Sequence, residues 1–291
     1  MERNDRTDSE RVLGLVAGGG RFPFEVAQAA RRRGMRVVCI GIHGEVSPEL
    51  AQEVDAFRTL GLGRLGAALR YLRRHGVREV SWAGWIRKER FFRPWALLIH
   101  RPDWRAIRLW FFRLRRLDRQ SQTILAAAAA EFEREGFHLA HSTHHCPDLL
   151  VEEGVLTKRL PTRRELEDIV FGWRVAQRMA DLDVGQSVIV CDKATIAVEG
   201  IEGTDRNILR AGEFCGRGFT VVKLAREHHD MRFDVPTVGP RTIETMVAAR
   251  GKVLAIEAGR TIVLERERTV ELANRAGIVV IALRDAPVLE E

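Results

Sequence analysis

Three short stretches carry side chains whose type and spacing suit work on a phosphate group. The first is Ala197-Val198-Glu199-Gly200-Ile201-Glu202-Gly203-Thr204-Asp205, with three carboxylates inside seven positions and two glycines between them. Carboxylates so concentrated suit Mg²⁺, a hard ion that takes oxygen ligands and retains several waters. They equally suit a turn of solvated acids in which Thr204 or Asp205 caps the helix that follows. The second stretch is Asp230-Met231-Arg232-Phe233-Asp234-Val235-Pro236-Thr237-Val238-Gly239-Pro240. Two prolines stiffen it, and a stiff loop holds its side chains in position as catalysis requires. An arginine beside carboxylates is also how a structural ion pair looks. The third stretch, Gly18-Gly19-Gly20-Arg21-Phe22-Pro23, joins a strand to a helix. Glycines let a phosphate approach the backbone, and free N–H groups at a helix start attract negative charge. Pro23 stands where a dinucleotide fingerprint needs its third glycine, so that motif is not met, and a simple tight turn explains the glycines as well.

The elements that must position these residues are legible from apolar periodicity. Val12–Ala17 reads as a strand, 23–33 as a helix closed by Gly34, 37–42 as a strand, 65–75 as a helix stopped by Gly76, and 77–83 as a strand. Strand–helix–strand repetition predicts a parallel sheet covered by helices. Residues 93–135 break the alternation and read as mostly helix, favoured by the alanine run 126–130. The chain then becomes loop-like between His144 and Pro161. Thr162 with Glu165 makes a capping box that opens a helix to about Leu182. Strands follow at 187–190, 195–198, 220–224 and 253–257, then a helix at 266–275 and a last strand at 278–283. The expected fold class is α/β with two α/β domains. A Rossmann-like N-terminal domain with a parallel sheet spans 11–146, a linker 147–161, and a catalytic C-terminal domain with a mixed sheet 162–285.

Composition narrows the partners. The 291 residues suit two domains, each with its own core. A net charge of +7 and a pI near 9.8 favour anionic partners, with arginine supplying most of the surplus. No window reaches the roughly 18 uncharged apolar residues of a membrane span, and the N-terminus lacks a signal peptide's apolar stretch. Cys39, Cys146, Cys191 and Cys215 lie far apart without a CxxC, and those in apolar runs read as buried thiols of a reducing cytoplasm.

Between 93 and 119, Trp95, Trp104, Trp110, Phe111 and Phe112 mix with Arg101, Arg105, Arg108, Arg113, Arg115 and Arg116. A helix of that kind can lie among lipid headgroups, or pack as an amphipathic helix on its own domain. No nucleic-acid-binding motif accompanies it, and nucleic acid is not expected as a partner. His141, His144, His145 and Cys146 resemble soft-metal ligands, but a single short loop offers no second cluster, so they read as surface histidines. His228 and His229 precede Asp230 and are candidates for a phosphate contact.

The segments GLVAGGGRFP, GVLTKRLPT, LDVGQSVIV, AVEGIEGTD, RFDVPTVGP and AIEAG occur in the order seen in LpxI-type UDP-2,3-diacylglucosamine pyrophosphatases of lipid A synthesis. The chain resembles that family from about Leu13 to Leu283. The resemblance implies two α/β domains holding the lipid product between them, and a divalent metal for hydrolysis at the α-phosphorus. It implies that Asp234, in RxDxPT, is the key catalytic aspartate, accompanied by Arg232 and Thr237. Glu199, Glu202 and Asp205 match the acidic element, and Gly18, Gly19 and Gly20 the N-terminal loop. One departure stands out: where the family carries Gly-Asp-Asp, this chain has Gln120, Ser121 and Gln122.

The expected reaction is therefore hydrolysis of UDP-2,3-diacylglucosamine to UMP and lipid X by metal-assisted attack of water, in the cytoplasm at the inner face of the membrane. Asp234, Arg232, Lys223 and Thr237 are the expected catalytic residues. Gly18, Gly19, Gly20, Gly203 and Thr204 are expected against substrate, and Glu199, Glu202, Asp205 and Asp230 around Mg²⁺ or Mn²⁺. A homodimer is compatible with this reading. The alternatives are a non-catalytic relative that binds a nucleotide sugar or lipid as a sensor, for which the missing acidic pair speaks, and a nucleic-acid binder using the arginine-rich stretch.

Overall fold

The computed structural model describes residues 11–87, 101–112, 121–182, 184–225, 230–233 and 235–288, with the backbone alone at 110–112 and 121–122. The chain forms two compact units, Met1–Cys146 and Pro147–Glu291.

In the first unit the strands are β1 (Val12–Ala17), β2 (Arg36–Ile42), β3 (Ala56–Leu60), β4 (Glu79–Ala83) and β5 (His138–Leu139). All pair in parallel, in the order β3-β2-β1-β4-β5. The helices are α1 (Phe22–Arg32), α2 (Leu65–Arg74), α3 (Trp104–Phe112) and α4 (Ser121–Arg134). Gly34 and Gly76 sit at φ +72°, a left-handed conformation that ends α1 and α2 without a Cβ penalty. The strand β3 escaped sequence analysis because it is an edge strand, half-exposed, and lacks the continuous apolar run of its neighbours.

Two arginines of the aromatic-rich stretch are tied down within this unit. Arg105 bonds Glu135 and lies 3.9 Å from Glu131, and Arg108 is also 3.9 Å from Glu131. Bonds from Arg73 and Arg105 hold the Glu135 carboxyl below its usual range. These contacts agree with a helix packed on its own domain, although Trp104 is 76% exposed. The lipid-facing candidates at Trp95, Arg113, Arg115 and Arg116 lie outside the described residues. Among the described residues no helix is long and apolar enough to cross a membrane.

The second unit is built on a mixed six-stranded sheet, in the order β6-β13-β11-β9-β7-β8. Its strands are β6 (Gly154–Val155), β7 (Ser187–Cys191), β8 (Ala194–Val198), β9 (Thr220–Lys223), β11 (Val253–Glu257) and β13 (Val279–Leu283). β9, β11 and β13 run parallel, while β7 pairs antiparallel with both β9 and β8. A small separate parallel pair joins β10 (Thr237–Val238) to β12 (Ile262–Val263). Residues alternate between the faces of the large sheet. Val188, Val190, Val222, Val253 and Val279 meet Ile169, Trp173 and Ala176 of α5 (Arg163–Asp181). Ile189, Val221, Leu254 and Val280 meet α6 (Thr204–Phe214), α7 (Pro240–Ala249) and α8 (Arg266–Arg275) through Ile208, Ile243, Met246 and Ala273. Gly172 lets α5 lie close to the sheet, since a Cβ there would stand 2.7 Å from Val222 Cγ2.

Residues 147–161 are not a free linker but part of this second unit. β6 pairs with β13, Leu156 N donates to Val280 O at 2.9 Å, and Lys158 N donates to Asn274 Oδ1 at 2.7 Å. Arg159 grips Glu165 through two 2.9 Å bonds and also reaches the carbonyls of Gly277 and Lys252. The segment's polarity suggested a loop because its hydrogen-bonding groups are spent on distant residues that periodicity cannot reveal. The expected capping box is present: Thr162 Oγ1 accepts from Glu165 N, and Glu165 Oε2 accepts from Thr162 N. Replacing a capping hydroxyl commonly costs about 1 kcal/mol. Thr162→Ala is therefore expected to lower unfolding stability by about 1 kcal/mol in denaturant titrations, and an unchanged midpoint would count against the role of this cap.

Candidate functional site

The turn that sets up the acidic stretch is unusual. β7 and β8 are joined through Asp192 and Lys193, both at positive φ (50° and 57°) without a glycine. Such a two-residue hairpin turn matches the strand twist but strains ordinary side chains. Asp168 of α5 offsets this by accepting from Asp192 N (3.2 Å) and Lys193 N (2.6 Å). Burial raises the Asp168 pKa above its ordinary value, while those amides pull it back. The hairpin returns the chain so that the end of β8 lies beside the start of β7, whose other side pairs with the carboxyl end of β9. In sheets of this class, ligands gather at carboxyl edges of strands.

Glu199 leaves β8 at that edge. Its Oε2 accepts from Ser187 Oγ at 2.6 Å and from Thr204 Oγ1 at 2.9 Å. Ser187 is fully buried and in turn accepts from Asn207 Nδ2 at 3.2 Å, itself fully buried on α6. A chain Asn207–Ser187–Glu199 thus fixes one carboxylate oxygen. Gly185 matters here, because a Cβ would come within 2.1 Å of the Glu199 carbonyl oxygen. Thr204 does not cap α6 with its side chain; Gly203, at φ +84°, is the N-cap and releases the hydroxyl for Glu199. Ser187, Asn207 and Gly185 were not singled out in the sequence, since a lone Ser or Asn carries no spacing signal.

The other expected metal ligands are occupied by cations of the protein itself. Glu202 pairs with Arg210 at 2.9 Å and accepts from Gly200 N, Asp205 pairs with Arg241 at 2.8 Å, and Asp230 is gripped by Arg232. Glu199 alone of the four makes no ion pair among the described residues. A closed cage of Glu199, Glu202, Asp205 and Asp230 does not fit this arrangement. What fits is the habit of Mg²⁺ of taking one or two protein carboxylates and completing its shell with substrate phosphates and water. Glu199 is the carboxylate suited to that.

Lys223, the last residue of β9, is only 6% exposed, and its Nζ donates to Thr237 O at 2.8 Å. A buried ammonium is costly unless its charge is met, yet Lys223 makes no ion pair among the described residues. Thr237 is steadied by its own hydroxyl, which donates to Val235 O at 3.0 Å. The structure thus brings Lys223 and Thr237 together, as expected. Next to them, Glu257 at the end of β11 accepts from Ala225 N at 2.7 Å and from Arg260 at 3.0 Å. It belongs to the AIEAG segment. Arg232 is not a free phosphate clamp: its Nε donates to both Asp230 oxygens at 2.8 and 2.9 Å. Asp234, His228 and His229 lie outside the described residues. So do Gln120 and the side chains of Ser121 and Gln122.

The glycine loop of the first unit also differs from expectation. Gly18 N donates to Ala83 O and Gly19 N to Trp85 O, each at 2.8 Å, so neither amide is available to a phosphate. The glycines are required by close approach: a Cβ on Gly18 would meet Trp85 O at 2.5 Å, and on Gly19 the Trp85 ring at 2.8 Å. Trp85 lies over the loop and stays 47% exposed.

Comparison with known proteins covers both units. The LpxI N-terminal domain family model matches residues 12–149, and the LpxI C-terminal domain model residues 152–281. The UDP-2,3-diacylglucosamine pyrophosphatase LpxI of Caulobacter vibrioides is 28% identical over 281 residues, spanning 94% of this chain and 98% of the relative. Among solved structures, CobK precorrin-6A reductase is matched over 97% of this chain and 90% of its own at 12% identity, with a TM-score of 0.28. The biotin carboxylase domain of Hydrogenobacter thermophilus 2-oxoglutarate carboxylase is matched over 69% of this chain and 40% of its own, at 13% identity and a TM-score of 0.25.

Replacing a buried charge by an apolar side chain of similar volume is often neutral or stabilising, whereas a charge-assisted hydrogen bond to an anion is worth about 1.5–3 kcal/mol. Lys223→Met is therefore expected to keep or raise the melting temperature while weakening inorganic pyrophosphate binding by roughly 10- to 100-fold in calorimetry. A fall in stability with unchanged binding would make Lys223 a structural residue.

Proposed function

The chain belongs to the LpxI family, and from that premise we propose that it hydrolyses the diphosphate of UDP-2,3-diacylglucosamine to UMP and lipid X. The observation that carries the reading is Lys223, a buried cation at the carboxyl edge of a sheet, with a carbonyl as its described partner. A diphosphate supplies the negative charge that such a group lacks. Glu199, fixed by Ser187 and Thr204 and free of ion pairs among the described residues, is the second support.

Lys223 binds a phosphate oxygen and offsets the charge that shifts onto it as the anhydride bond breaks. Arg232 joins it by sharing its guanidinium between Asp230 and the substrate. Thr237 orients Lys223 through its carbonyl oxygen. Asp234, from the sequence motif, orients and deprotonates the attacking water. Glu199 would hold Mg²⁺ or Mn²⁺, which would neutralise phosphate charge and acidify a bound water. The water attacks the α-phosphorus, its oxygen stays with UMP, and the anhydride bond breaks so that the acylated sugar 1-phosphate, lipid X, departs as the leaving group. With a two-chain lipid as substrate, the reaction belongs at the inner face of the cytoplasmic membrane, and the exposed Trp104 beside basic residues suits a headgroup layer.

A second reading has one specific support. Gln120, Ser121 and Gln122 stand where the family carries an acidic pair, so the chain could bind the nucleotide lipid without turning it over.

Release of UMP from labelled substrate decides between the two. With Mg²⁺ present, the wild type is expected to turn over above background, and Asp234→Ala to lose about 100-fold or more of that rate. Chelation of the divalent ion is expected to abolish activity reversibly. Tight binding of the substrate with no UMP release would favour the sensor, and undiminished release from Asp234→Ala would remove that residue from the chemistry.

A further inference from the structure

The first unit gathers a different set of ligands. Glu79 stands at the start of β4, and β4 pairs with β5 so that Glu79 lies opposite His138. From β5 the chain runs into the loop 141–146, where His144 and His145 follow one another. His145 is 5% exposed, and its Nε2 lies 2.7 Å from Glu79 Oε1. The two imidazoles meet edge to face at 4.9 Å and 81°. One ligand atom from each of Glu79, His144 and His145 lies within 4.8 Å of the others, the group among the described residues with this property.

The loop that carries the two histidines is well anchored. Ala140 N donates to Val80 O at 2.9 Å, His144 N to His141 O at 3.0 Å, and Cys146 N to Thr143 O at 3.0 Å. Arg33 Nη1 donates to His144 O at 3.2 Å, and Ser142 and Thr143 are buried. The backbone is therefore set before any ligand arrives, and side-chain rotation is what remains.

We propose that Glu79, His144 and His145 bind Zn²⁺, with water as the fourth ligand. Two imidazoles and a carboxylate form a donor set that this borderline ion prefers, whereas Mg²⁺ prefers oxygen. The site is accordingly separate in chemistry from the diphosphate reaction. Tetrahedral ligands about 2.0–2.1 Å from zinc stand roughly 3.3 Å apart. The His145–Glu79 contact must open by about half an ångström, and the widest separation must close by up to about 1.5 Å. His144 is exposed and Glu79 half-exposed, so both can rotate and one side stays open to the water ligand. The ion ties the loop after β5 to the strand beside it, adding a cross-link at the end of the first unit's sheet.

The test uses untagged full-length protein stripped of metal and titrated with Zn²⁺ against a chromophoric chelator. One Zn²⁺ per chain is expected, with a Kd on the order of 1 μM or tighter. His144→Ala removes an exposed side chain, so the fold persists, and affinity is expected to fall by about tenfold or more, as with Glu79→Gln. His141→Ala, in the same loop but outside the set, is expected to bind as the wild type does. Co²⁺ in place of Zn²⁺ should give intense visible bands of four-coordination that His144→Ala loses. Absence of saturable binding, wild-type affinity in His144→Ala and Glu79→Gln, or equal weakening by His141→Ala would each overturn the assignment.

Discussion

A lysine ammonium buried at the edge of a β-sheet, held by one carbonyl, is the constraint around which the second unit is arranged. Water would hydrate that charge far better than Thr237 O does, so the fold carries the cost of keeping Lys223 only 6% exposed. The cost is reasonable where an anion supplies the missing partner. The parallel run β9–β11–β13 brings Lys223 and Glu257 to one edge. The antiparallel β7–β8 hairpin then returns the chain so that Ser187 and Glu199 join them. A wholly parallel sheet would have sent the start of β7 to the opposite edge.

The electrostatics of the edge are sorted by pairing. Glu202, Asp205 and Asp230 are each paired with an arginine. Glu199 is matched instead with hydroxyls, which orient a carboxylate without cancelling its charge. Lys223 and Glu199 are therefore the two uncompensated charges of opposite sign on this edge among the described residues. That division suits a ligand which is anionic and brings a cation with it.

The first unit uses its glycines for a different purpose. Gly18 and Gly19 make room for the 83–85 segment, whose carbonyls take their amides, and Trp85 covers the loop. A glycine-rich strand-to-helix turn is thus read here by a neighbouring backbone. The composition is the same as for a phosphate loop because both require a Cβ-free surface.

Much of this architecture was legible in the residues alone. The apolar runs marked β1, β2, β4, β7, β9, β11 and β13, because a strand buried on both faces needs a continuous apolar stretch, and a shorter run marked the half-exposed edge strand β8. The Thr162–Glu165 box announced α5, because capping is a local interaction over four residues. The short motifs also announced the family. The tertiary structure alone decided which acids face arginines and which face hydroxyls. It also decided that 147–161 is part of a sheet domain, and that Glu79 meets two histidines some 65 positions away. These outcomes depend on partners brought together by strand order, and no local pattern of residues encodes a partner that distant.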